Sequence, residues 1–98
     1  MLQRKGCITE RNKESLLIRI KKIQGQVQGL EKMIHANRYC VDILMQISSV
    51  HEALRGFGKE IMHDYLKRCV SKSILSKRKE KQEAIYRELM DVIYKYAK

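Results

Sequence analysis

Through two long stretches of the chain, apolar residues recur at steps of three and four, and no proline interrupts them. That period is one face of an α-helix; a half-buried strand would alternate with period two. The first series is Leu16, Leu17, Ile20, Ile23, Val27, Leu30 and Ile34, with Arg19, Lys21, Lys22, Gln24, Gln26, Gln28 and Lys32 opposite. His35-Ala36-Asn37-Arg38 reads as a short connection. The second series is Cys40, Ile43, Leu44, Ile47, Val50, Leu54, Phe57, Ile61, Met62, Tyr65, Leu66 and Cys69. Gly56 and Gly58 lie inside it, and each weakens a helix by about 1 kcal/mol relative to Ala. The phase runs through them, whereas a turn would reset it. One long helix from about residue 38 to 72 is expected, its glycines permitting close approach of another helix. Ser76 to Lys81 holds the next turn, and Ile85, Leu89, Val92, Ile93 and Tyr96 mark a short third helix. The expected fold is all-α, with residues 1–10 a flexible basic tail and residues 11–98 a single helical domain.

A chain of 98 residues fits one domain with a modest core, so oligomerisation is expected. Lys and Arg number 21 against 11 Asp and Glu, a formal charge of +10. Such a surplus predicts a polyanionic partner, nucleic acid first and an anionic membrane surface second. No apolar run approaches the ~20 residues that span a bilayer. Met1 to Arg11 have no apolar core, so a signal peptide is not expected and a reducing cytosol is the expected compartment. Three cysteines are too few for a disulfide scaffold and read instead as ligands, sensors or packing residues. There is no Gly-rich phosphate loop, no Cys-x-x-Cys and no Ser/His/Asp arrangement, so no enzymatic activity is expected.

Cys40 and Cys69 are 29 residues apart. At about 100° per residue they lie roughly 20° apart around a helix, on one stripe with Tyr65 and His51, while His63 points elsewhere. Along the axis 29 residues span roughly 43 Å, so the two thiols cannot meet within one straight helix. They meet if two copies pack antiparallel, which a two-fold dimer does twice. The alternative is an intrachain hairpin bent at Gly56-Phe57-Gly58. Cysteine is also a common packing residue. Arg38 beside Cys40, and Lys67, Arg68 and Lys72 around Cys69, favour the reactive thiolate. Cys7 sits in the tail and reads as an exposed bystander; His35, His51 and His63 read as surface residues.

At these residues the sequence resembles the copper-sensitive operon repressor (CsoR) family, from about Leu17 to Lys98. The resemblance rests on Arg19-Ile20-Lys21-Lys22-Ile23-Gln24-Gly25-Gln26-Val27, Tyr39-Cys40, Gln46-Ile47-Ser48-Ser49-Val50, Ala53-Leu54-Arg55 and Cys69-Val70. It implies a three-helix subunit with one long central helix, an antiparallel dimer, and dimers pairing into a tetramer. It also implies repression through double-stranded operator DNA, gripped by basic residues of the first two helices and released by an effector between subunits. Arg19, Lys21, Lys22, Gln26 and Arg55 are the candidate DNA contacts it implies.

Copper sensors of this family carry a Cys and then His-x-x-x-Cys on the long helix. Here the histidine position is Tyr65, whose phenol oxygen is a poor substitute for imidazole at soft Cu(I). Both thiols are present and the nitrogen donor is lost, which is similar to the persulfide-sensing, CstR-like branch. Tyr39, beside Cys40, and Tyr65 complete the surroundings of the thiols. The first reading is a cytoplasmic repressor released when Cys40 and Cys69 of neighbouring subunits react with persulfide or polysulfide, with no metal or other cofactor. The alternative is Cu(I) bound by the same two thiolates. A third reading, of another class, is a structural RNA- or ribosome-binding helical protein in which the cysteines pack.

Overall fold

The computed structural model describes residues 6–96. It is helical, with no strand among the described residues: α1 is Glu10–His35, α2 Cys40–Asp64, a π-helical segment Tyr65–Val70, α3 Ser71–Leu75 and α4 Lys79–Tyr96. Asp64 and Ser71, at the two ends of the π segment, both have α-helical dihedrals, so α2, the π segment and α3 continue one another as the long central helix. The described residues form two compact units, residues 8–61 and residues 6–7 with 62–96.

Local chemistry sets the helix ends. Thr9 is extended, and its hydroxyl accepts from the Asn12 N–H at 3.2 Å, satisfying one free donor of the first turn of α1. Glu10 lies in that turn and Lys32 and His35 in the last, as the helix dipole favours. At the far end the Asn37 N–H donates to the Ile34 carbonyl and the Arg38 N–H to Met33, both at 3.0 Å. That double return is a Schellman closure, and Asn37 at φ 53° occupies its left-handed position. Asn37→Ala should therefore cost about 1 kcal/mol and Asn37→Gly nothing, read by urea unfolding; an Ala variant as stable as the parent would refute the strain.

The predicted central helix is observed, and a hairpin at Gly56-Phe57-Gly58 is not: all three residues lie inside α2. Of the two central-helix glycines, Gly58 is buried and Gly56 has room for a side chain. A Cβ at Gly56 would sit an ordinary 3.7 Å from Arg19 Nη1, and one at Gly29 3.6 Å from Gln46 Nε2. Three buried residues, Leu16, Ile23 and Val50, form the core of the 8–61 unit, with Gln46 Nε2 donating to the Gln26 carbonyl at 3.2 Å. In the other unit Val70 and Ile85 are buried. The turn before α4 lies within the expected 76–81, at residues 76–78. Gln82 Nε2 donates to the Ile74 and Ser76 carbonyls, both at 2.9 Å, satisfying the end of α3 and starting α4 at Lys79.

Much of the predicted apolar stripe stays uncovered in one chain. Leu17 is 50% exposed, Ile34 66%, Leu44 61% and Ile93 48%. Each helix has an apolar face wider than its neighbours in the same chain can cover. Among the described residues no helix is long and apolar enough to cross a membrane.

Candidate effector site and nucleic-acid surface

Cys40 is the first residue of α2, exposed and with a free thiol. Arg38, expected to favour its thiolate, instead reaches Asp42 at 3.6 Å across an exposed pair. Tyr39 is 71% exposed. The histidines 35, 51 and 63 are exposed, as expected.

Cys69 is different. It sits half-buried in the π segment and is disulfide-bonded to Cys7, the Cα atoms 6.0 Å apart. Cys7 is therefore not the exposed bystander of the sequence reading: it is half-buried and belongs to the same compact unit as Cys69, 62 residues away in sequence. Of the expected tail, residues 1–5 lie outside the described residues, and Glu10 is already helical.

The π segment also corrects the stripe. Here a backbone bond spans five residues: the Leu66 carbonyl accepts the Ser71 N–H, and Ser71 Oγ donates to the same oxygen at 3.0 Å. A uniform 100° per residue therefore fails between Tyr65 and Cys69, at the kind of helical bulge often found at functional sites. Tyr65 does not present a free phenol. Its hydroxyl donates to Glu88 Oε2 of α4 at 2.6 Å, a short bond in which a carboxylate is the acceptor. Sequence spacing had not singled out Glu88, because the contact joins two helices. Among the described residues, no three His, Cys, Asp or Glu side chains of one chain converge on a point that could hold a metal.

The candidate DNA contacts fall in the 8–61 unit. Arg19, Lys21 and Lys22 are exposed on α1 and Arg55 on α2. The Arg19 guanidinium lies over Gly56, next in sequence to Arg55, so these two cations share one region. Gln26 differs: its side-chain oxygen is buried without a hydrogen-bond partner among the described residues, and its backbone carbonyl accepts from Gln46. Its amide is turned partly inward.

The description metal-sensitive transcriptional repressor matches residues 12–95 of the chain. The chain belongs to this family of repressors. The copper-sensing transcriptional repressor CsoR of Bacillus subtilis is 38% identical over 90 residues, 92% of this chain and 86% of that protein. The copper-sensing repressor RicR of Mycobacterium tuberculosis is 36% identical over 62 residues, 63% of this chain and 65% of that protein. Among solved structures, the copper-sensing repressor CsoR with Cu(I) from Geobacillus thermodenitrificans superposes with a TM-score of 0.82 at 43% identity, covering 100% of this chain and 95% of that one. A variant of the formaldehyde-responsive regulator FrmR from Salmonella enterica superposes with a TM-score of 0.74 at 26% identity, covering 90% and 97%. This repressor has the all-helical fold of these relatives, which are regulators of transcription and not enzymes.

Proposed function

We propose that this repressor is a cytoplasmic, Cu(I)-responsive regulator that holds double-stranded operator DNA when metal-free and lets go when Cu(I) binds. The observation that carries this reading is its likeness, over the whole chain, to a repressor solved with Cu(I). It has a thiol at both positions, Cys40 and Cys69, where the copper sensors of the family carry one. Thiolate sulfur suits soft Cu(I). Cys69 can serve only after the Cys7–Cys69 bond is reduced, which a cytosolic thiol pool favours.

In this reading Cys69 of one copy and Cys40 of another hold the ion, which supplies a soft centre joining two chains. The exposed apolar stripe of Leu17, Ile34 and Leu44 supports such an assembly, a dimer that pairs into a tetramer. Arg19, Lys21, Lys22 and Arg55 face the phosphates, with Gln26 at the edge of the patch. Linkage is reciprocal: whatever factor Cu(I) takes from DNA affinity, DNA takes from Cu(I) affinity.

One observation favours the runner-up, release by persulfide or polysulfide: Tyr65 stands where an imidazole donor is expected and donates its hydroxyl to Glu88. A single experiment separates the two. Operator duplex is selected from a random library, and binding is followed by anisotropy, with sedimentation in parallel, on the reduced protein given Cu(I) or polysulfide. Cu(I) should release DNA, and Cys40→Ala and Cys69→Ala should bind DNA but fail to respond. Release by polysulfide and not by Cu(I) would overturn the copper reading, and a monomer throughout would overturn the shared site.

A further inference from the structure

A copper site made of Cys40 and Cys69 alone is one donor short of the Cys/His/Cys set, and Tyr65 does not supply the missing nitrogen. We infer that Cys7 is the third donor: reduced, Cys7 and Cys69 of one chain form a dithiol that holds Cu(I) together with Cys40 of another copy. The inference rests on the copper reading proposed above and names a ligand which that reading lacks.

Three observations carry it. Cys7 and Cys69 are placed so that their sulfurs bond, with Cα atoms 6.0 Å apart. Two thiols that can reach each other can also reach one ion between them, which demands a less intimate approach. Both residues are half-buried and belong to one compact unit, so neither thiol stands out in open solvent. Finally, the Tyr65 hydroxyl is spent on Glu88, which leaves the third position to another side chain.

Sulfur is also the better element for the place. A third thiolate is as soft as the other two and selects Cu(I) over harder ions. Because Cys7 is tethered beside Cys69, its binding is intramolecular and benefits from a high effective concentration. The chemistry balances in two steps. Two equivalents of a small thiol, R–SH, reduce the Cys7–Cys69 bond to two cysteine thiols and leave one R–S–S–R. Each cysteine thiol then releases its proton to solvent as its sulfur binds the ion.

The test uses the full chain, anaerobic and fully reduced, with Cu(I) added alone. Affinity is read by competition with a chromophoric chelator, and the sulfur count by X-ray absorption at the copper edge. The reduced parent lacks the disulfide, as Cys7→Ser does, so the two are matched in fold. The parent should show three sulfur neighbours. Cys7→Ser should show two and bind roughly tenfold or more weakly, at least what losing an outer partner of a ligand costs. Equal affinity and equal sulfur count in both proteins would make Cys7 a disulfide partner only and overturn the inference. A parent with three sulfurs that still grips DNA sinks the copper-repressor reading but leaves the Cys7 donor standing. A parent that holds no Cu(I) sinks both.

Discussion

Raising salt from 50 to 200 mM should weaken operator binding by roughly a thousandfold to a hundred-thousandfold, the loss expected when six to ten phosphate contacts give back their counterions. Arg19, Lys21, Lys22 and Arg55 offer four cations on each chain, and two chains reading one duplex bring eight. The slope of log affinity against log salt should then be about −7. Lys22→Ala removes two of those contacts per pair of chains and should flatten the slope by about 2, and Arg55→Ala should do the same. Lys95→Ala, in the last turn of α4, should leave it unchanged. The stability of these variants should hardly move, since the side chains are exposed. A shallow slope in the parent would mean that the +10 charge serves solubility, and slopes indifferent to Lys22 and Arg55 would place the DNA elsewhere.

Tyr65→His should raise Cu(I) affinity, and the size of the gain should depend on Cys7. In a Cys7→Ser background the imidazole takes an empty third position, and the gain should reach roughly 10–100-fold, the scale on which well-supported ligands tune metal sites. In the parent the gain should be smaller, because Cys7 already holds that place; the shortfall is a coupling between residues 7 and 65. The structure supplies what an engineered imidazole needs. Glu88, now accepting from the Tyr65 hydroxyl at 2.6 Å, is a carboxylate that can accept from the ring nitrogen not facing the ion. Chelator competition on the two single variants and the double variant decides it. Equal gains in both backgrounds would separate Cys7 from the site.

The elements that sequence made legible are those governed by local period. The steps of three and four placed α1 and the long central helix, because a helix repeats its face every 3.6 residues whatever its surroundings. The connection at residues 35–38 was legible too, though not that Asn37 closes it in the left-handed conformation. Periodicity could not reveal the π segment, which rests on one carbonyl, that of Leu66, accepting both the backbone N–H and the hydroxyl of Ser71. Nor could it reveal Cys7 against Cys69 or Tyr65 against Glu88, since both depend on how distant segments pack. Gln26 illustrates the same limit. It reads as one more polar residue of the basic face, yet its amide oxygen is buried. The family could be read from short motifs, but the effector could not, because it depends on a few side chains whose company only folding decides.

The thin core has a consequence for how such a regulator lives in a cell. Among the described residues, Leu16, Ile23 and Val50 are the buried apolar side chains of one unit and Val70 and Ile85 those of the other, so a solitary chain has a thin core in each. On the assembly proposed above, its persistence is set by its own abundance: mass action ties folding to the number of copies present. In that case freshly made chains below that number would present bare apolar faces to the proteolytic machinery and be cleared, while assembled copies would survive. Gene dosage and synthesis rate would thereby become part of the switch, fixing how much repressor exists to be released before any signal arrives.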